Sequence, residues 1–169
     1  MTLPRLLLWV SFPLFLLDFA TKEWIVRHFV PPGEKMDGIQ VIPGFFDIVR
    51  LHNRGVAFGV GHEGTHANWM FGGISLAAVG LLLFMWRKNT FPTRLGKTAV
   101  GLLLAGIAGN LLDRLLRGYV VDFLLFDLKF MVWPAFNVAD SCICIAAVCL
   151  FLSSFQKLPE TKPDETPAS

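Results

Sequence analysis

Four long apolar stretches, separated by shorter segments that hold most of the charge, restrict what this 169-residue chain can become. A soluble domain of this length covers its surface with roughly a quarter charged residues. Here 17% are charged and 54% hydrophobic, too few polar groups for a water-facing shell. Apolar runs alternating with polar connections are the layout of a multi-pass membrane protein. The expected fold is an all-α membrane protein. It has four transmembrane helices, a small extracytoplasmic β-sheet and an interfacial segment.

The first span runs from Leu6 to Leu17 and on through Asp18 and Lys22 towards Val26. It lacks the small-x-small site of a cleaved leader, so a retained helix is expected. Asp18 and Lys22 lie four apart, share one helix face and can neutralise each other near the membrane boundary. The second span runs from about Trp69 to Trp86, and the third from about Thr98 to Leu112. The fourth, about Phe136 to Phe155, follows Trp133-Pro134, a helix start by the tolerance of proline in a first turn.

Loop charge orients the bundle. The connection Arg87 to Lys97 carries four cations and no acidic residue, and so belongs in the cytoplasm. Both termini then face the cytoplasm and the two longer connections face outward. In the first of these, about 29–67, Ile39–Ile42 and Phe45–Leu51 flank Pro43-Gly44 and read as strands around a turn. The second, Leu115 to Trp133, alternates apolar and charged residues and is expected to lie in the interface. Residues 1–156 form the domain; 157–169 read as a disordered cytoplasmic tail.

Carboxylates at the edge of a bilayer are costly unless paired, solvated or used. Asp122 and Asp140 flank the start of the last span. Asn110, Asp113 and Arg114 share a face of the third helix, and Asn137 shares one with Asp140. Gly106 and Gly109 let helices three and four approach closely. Two close carboxylates share a proton, so one can take a proton from water while the other donates to a scissile carbonyl. Asn and Arg beside them can hold substrate carbonyls and an oxyanion. The plainer reading makes these residues helix caps and ion pairs, with Asp113 orienting Arg114 and Asn137 capping a helix. Asp47 and Asp127 read as solvated loop carboxylates.

Other signals are weaker. His62-Glu63-Gly64-Thr65-His66 matches the zinc-protease pattern H-E-x-x-H, but its glycines work against the rigid helix such a site needs, and no third ligand follows. Cys142, Cys144 and Cys149 read as packing residues. A net charge of +2 gives no footprint for nucleic acid. A proton-relaying transporter using Asp18, Asp113 and Asp140 is a non-enzymatic alternative, but no internal repeat supports it.

Five separated blocks together resemble the lipoprotein signal peptidases, the type II signal peptidases of bacteria. They are Asp18-Phe-Ala-Thr-Lys22, Asn53-Arg-Gly55-Val-Ala57-Phe58, Gly106-Ile-Ala-Gly109-Asn110-Leu-Leu-Asp113-Arg114, Val120-Val121-Asp122-Phe123 and Pro134-Ala-Phe136-Asn137-Val-Ala139-Asp140. Trp133 stands where the family often has Phe. The resemblance implies an integral-membrane aspartic endopeptidase with Asp122 and Asp140 as its catalytic dyad. Asn53, Asn110, Arg114 and Asn137 would line the substrate site, with Gly55, Asp113, Asp18 and Lys22 in support. It implies diacylglyceryl-modified prolipoproteins as substrates, membrane lipid as surroundings, and no metal or other cofactor. The expected protein is a monomer in the bacterial cytoplasmic membrane, with its active site near the outer face.

Overall fold

The structure, a computed structural model, describes residues 1–33, 38–55 and 65–156, with side chains in the last stretch from residue 68 onward. The described residues form four helices and one sheet. Helix α1 is the apolar run Leu3–His28, α2 is Thr65–Arg87, α3 is Arg94–Arg117 and α4 is Val138–Ser154. The first three are long and apolar enough to cross a membrane. Helix α4 is equally apolar but has 17 residues, about 26 Å at 1.5 Å per residue. Large aliphatic and aromatic side chains lie on the outside of all four, among them Trp9, Phe12, Trp69, Phe84, Leu115 and Phe151. Water would penalise such a surface; lipid does not.

Helix ends follow their chemistry. Thr93 caps α3 by accepting from Gly96 N–H, and Gly118, at φ +77°, ends it in the left-handed conformation that glycine adopts without penalty. After a first α turn at Leu3–Leu6, helix α1 carries a π turn over Leu7–Ser11, beside Pro13, which lacks an N–H. It docks on α3 where Leu6 and Val10 fill the space above Gly101, and Ser11 Oγ donates to the Gly101 carbonyl (2.9 Å). Helices α3 and α4 approach just as closely. A Cβ on Gly106 would lie 2.5 Å from the Ala139 carbonyl oxygen and 2.7 Å from Ile143 Cγ1.

The sheet is antiparallel in the order β1-β2-β3-β4, with β1 Gly38–Ile42, β2 Phe46–Asn53, β3 Val120–Asp127 and β4 Val132–Phe136. The first hairpin lies where the β-branched runs around Pro43-Gly44 place it. The second half departs from expectation. Leu115 to Trp133, read as an interfacial segment, supplies β3, the strand that pairs with both β2 and β4. Trp133-Pro134, read as a helix start, lies within edge strand β4, where a proline's missing N–H is tolerated; α4 starts only after Asn137. Phe46 and Phe126 stack at 4.6 Å across the β2–β3 pair. Ile25 of α1 and Phe29, the residue just after it, pack on Val121 and Phe123 of β3, fastening the sheet to the α1 end of the bundle.

The stretch His62-Glu63 lies outside the described residues, as does the side chain of His66, and so does the expected tail 157–169.

Candidate active site

Asp122 sits mid-strand on β3 with only 4% of its surface exposed. Register makes its surroundings. It faces Leu51 of β2, so Asn53, two residues along, is its diagonal neighbour on the same face. Asn53 Nδ2 donates to Asp122 Oδ2 (3.0 Å), while Asn53 Oδ1 accepts from Gly55 N–H (2.9 Å) in a turn where Gly55 has φ +77°. The other carboxylate oxygen, Oδ1, accepts from Asn137 Nδ2 at 2.8 Å.

Asn137 joins the two carboxylates. It is the N-cap of α4, fully buried, and its Oδ1 accepts from Asp140 N–H (2.9 Å). Asp140 returns the bond, its Oδ2 accepting from Asn137 N–H (3.3 Å) to complete a capping box. The cap therefore sets the Asp140 side chain, and the same amide group reaches over to Asp122. Asn110 of α3 supports the pair from below, donating from Nδ2 to Asp140 Oδ1 at 2.7 Å. Half-buried Asp140 and nearly enclosed Asp122 thus lie in one hydrogen-bonded cluster drawn from β2, β3, α3 and α4.

Burial, first, and then the charge of Asp140 push the Asp122 carboxyl up to about 6, from an ordinary value near 3.8. Hydrogen bonds from Asn53 and Asn137 and the charge of Lys22 pull the other way. Asp122 therefore holds a proton more readily than a solvated carboxylate does.

Beneath this cluster lies a second layer of buried charge. The Lys22 ammonium is 2.8 Å from Asp18 Oδ2 and 3.2 Å from Asp113 Oδ2, and it donates to Asn110 Oδ1 at 2.9 Å. Asp18 Oδ1 also accepts from Ala139 N–H (2.8 Å), at the first turn of α4. Asp113 Oδ2 accepts from Val121 N–H (3.0 Å), next to Asp122. One lysine thus connects α1 to α3 and, through its partners, to α4 and β3. The Asp18–Lys22 pair expected from i,i+4 spacing is present. Its place is the interior, with both residues 1% exposed.

Three expectations change. Asp113 makes no hydrogen bond or ion pair with Arg114 and acts on it through charge alone; its other oxygen pairs with Arg117, which also holds Glu23 of α1. Neighbours in a helix point about 100° apart, whereas i,i+4 residues stack, so Arg117 is the partner that geometry favours. Arg114 instead lies 5.3 Å over the Phe71 ring and donates to the Asn110 carbonyl (3.2 Å), with its charge felt at Asp140 and Asp122. Finally, Asp47 is no solvated loop carboxylate. It lies half-buried in β2, and its Oδ1 is enclosed without a hydrogen-bond partner among the described residues. Asp127 is likewise half-buried, at the end of β3, where it accepts from Lys129 N–H at 2.8 Å.

Glu23, Arg117 and Arg50 are site-supporting residues that sequence reading passed over. Spacing alone could have flagged Arg117, four residues after Asp113. Arg50 carried no such signal. It is buried in β2, donates from Nη1 to the Val26 and Phe29 carbonyls at the end of α1 (3.0 and 2.8 Å) and from Nε to His52 Nε2 (3.1 Å). Burial, and after it the charges of Arg50 and Arg54, lower the His52 imidazole to about 4, so it is neutral and accepts that bond.

Comparison with known proteins gives a consistent result. The family model described as signal peptidase (SPase) II matches residues 10–156. A lipoprotein signal peptidase of Pseudoalteromonas atlantica is 37% identical over 150 residues, 88% of this chain and 88% of that one. Another, from Aeromonas hydrophila, is 38% identical over 161 residues, 95% of this chain and 93% of its own. A bacterial membrane enzyme solved by the in meso method at 1.9 Å superposes with a TM-score of 0.79 at 27% identity, covering 91% of this chain and 94% of that one. The chain belongs to the signal peptidase (SPase) II family.

Proposed function

We propose that this protein is an intramembrane aspartic endopeptidase that removes the signal peptide from diacylglyceryl-modified prolipoproteins, cutting on the amino side of the lipidated cysteine. The observation that carries the reading is the Asn137 bridge. It holds Asp122 and Asp140 in one cluster, and Asp122 there is raised to about 6 by burial and by the charge of Asp140. Membership of the family, and relatives named lipoprotein signal peptidases, support the substrate class.

The pair works with one proton. Asp122, the more buried member, holds it; Asp140 is the base. Asp140 takes a proton from water as the water oxygen adds to the scissile carbonyl carbon, and Asp122 gives its proton to the carbonyl oxygen. The tetrahedral species then collapses. A proton passes to the amide nitrogen, the C–N bond breaks, and the products are a carboxyl end on the signal peptide and a free amine on the cysteine. Asn53, Asn110, Asn137 and Arg114 surround the reacting groups and supply the donors that orient them. All four helices cross the bacterial cytoplasmic membrane with both termini in the cytoplasm. The carboxylates then lie near the outer face, where a lipid-anchored substrate presents its scissile bond.

The decisive experiment is cleavage of a diacylglyceryl-modified prolipoprotein by the purified protein in detergent. Asp122→Asn and Asp140→Asn should each abolish turnover while preserving the helical circular-dichroism signal. Full activity in either variant would refute the dyad. Loss of wild-type activity on adding a chelator would favour the zinc reading instead. A reporter fused after Lys88 should be cytoplasmic; an external reporter would invert the topology.

A further inference from the structure

At the end of the bundle opposite the carboxylates, the starts of α1 and α3 enclose a groove of about 440 Å³ lined by Met1, Arg5, Trp9, Arg94 and Thr98. Among the described residues neither guanidinium has an ion pair or hydrogen bond, and both are exposed. Every described acidic side chain lies elsewhere: from Asp18 onward on α1, at Asp113 on α3, in the sheet or in the first turn of α4. Arg94 also occupies the first turn of α3, where the helix dipole adds positive potential. Two cations that line one groove, with no counter-charge from the described residues, repel each other, which an anion between them would relieve.

We propose that this groove binds the phosphodiester headgroup of an anionic phospholipid. The shape of the site favours a lipid over a free phosphate. The arginines share the groove with the thioether of Met1 and the indole of Trp9, which is 73% exposed on the outer surface of α1. A phospholipid matches both parts, with its phosphate on Arg5 and Arg94 and its glycerol and upper chain along Trp9. Depth agrees. Arg94 and Asn110 are sixteen residues apart on one helix, about 24 Å at 1.5 Å per residue. That is most of a hydrocarbon core, so the groove opens in the leaflet opposite the carboxylate cluster. The proposal rests on the helices crossing a bilayer and not on the identity of the dyad.

The test is native mass spectrometry of the full-length protein in neutral detergent, titrated separately with phosphatidylglycerol, phosphatidylcholine and inorganic phosphate. Phosphatidylglycerol should bind more tightly than phosphatidylcholine. The double variant Arg5→Gln/Arg94→Gln should weaken phosphatidylglycerol about 30-fold, which is about 1 kcal/mol for each guanidinium, and leave phosphatidylcholine unchanged. Both arginines are exposed and without partners among the described residues, so the variant should keep the wild-type unfolding temperature in lipid-free detergent. Equal phosphatidylglycerol binding by variant and wild type would overturn the site. Displacement of phosphatidylglycerol by equimolar inorganic phosphate would overturn the lipid as its occupant.

Discussion

Gly109→Ala is the smallest change that should break the site from a distance. A Cβ built on Gly109 overlaps Asp18 Oδ2 and lies 3.1 Å from Asp18 Cγ and 3.2 Å from Ala139 Cβ. Asp18 cannot step aside cheaply. It is 1% exposed, 2.8 Å from the Lys22 ammonium, and accepts from Ala139 N–H at 2.8 Å. Either α4 is levered away from α3 or the carboxylate leaves its buried cation. Uncoupling one member of a buried pair costs about 3–5 kcal/mol. Replacing glycine within a helix returns about 1 kcal/mol. The net expectation is about 2–4 kcal/mol of lost stability, and the Lys22–Asn110–Asp140 chain is disturbed as well. Gly80→Ala is the control, since a Cβ there meets nothing within 4 Å and only the helix gain remains. Unfolding of both variants in detergent, followed by circular dichroism, measures the difference. If Gly109→Ala proves as stable as Gly80→Ala, the close approach of α3 to the Asp18–Lys22 pair is not what holds these helices together.

Two further perturbations probe the protonation and fastening of the site. Asp122 has its carboxyl raised from near 3.8 to about 6, so the folded state binds a proton that the unfolded chain releases. Its stabilising contribution is full below pH 3.8 and disappears as pH rises through 6. The shift is worth about 3 kcal/mol. The unfolding free energy of Asp122→Asn minus that of wild type should therefore grow by up to about 3 kcal/mol between pH 4 and pH 8; a flat difference would refute the raised value. Arg50→Met should release the end of α1 from β2 at a cost of about 2–3 kcal/mol, because two carbonyls lose a charged donor. It should also raise the His52 pKa, one of whose depressing charges is Arg50. An unmoved imidazole titration by NMR would show that the two side chains do not interact.

What could be read from the chain and what could not divide along physical lines. Apolar length marked the helices because burying some twenty residues in lipid is a local property of a segment. The i,i+4 rule found Asp18–Lys22 for the same reason. Strand pairing is different: β3 acquires its identity from β2, separated from it in sequence by α2 and α3. The alternation in Leu115 to Trp133 suits an interfacial segment as well as a strand, and only the partner decides between them. The dyad candidates stood out because carboxylates beside apolar runs are rare. Their bridge was half visible, since Asn137 and Asp140 have capping-box spacing, whereas the reach of Asn137 to Asp122 depends on where β3 lies.

The buried charges bear on how the site would keep the single proton that the proposed mechanism requires. Around the cluster stand the cations Lys22, Arg114 and Arg117 and the carboxylates Asp18, Asp113, Asp122 and Asp140; Glu23, which pairs with Arg117, is balanced in turn by its second partner Arg27. Three positive charges against four negative leave one in excess, and an unbalanced charge in a poorly solvated site costs several kcal/mol. A single proton shared by Asp122 and Asp140 removes the excess. The Lys22 layer therefore does more than fix helix register. It compensates Asp18 and Asp113 and leaves the unpaired negative charge on the dyad, where a proton can neutralise it. Lys22→Met would deprive Asp18 and Asp113 of their shared cation, and the same proton would then be needed in two places. In the proposed mechanism the single proton on Asp122 and Asp140 would then be a property of the whole buried network, with Asn137 bonded to both carboxylates.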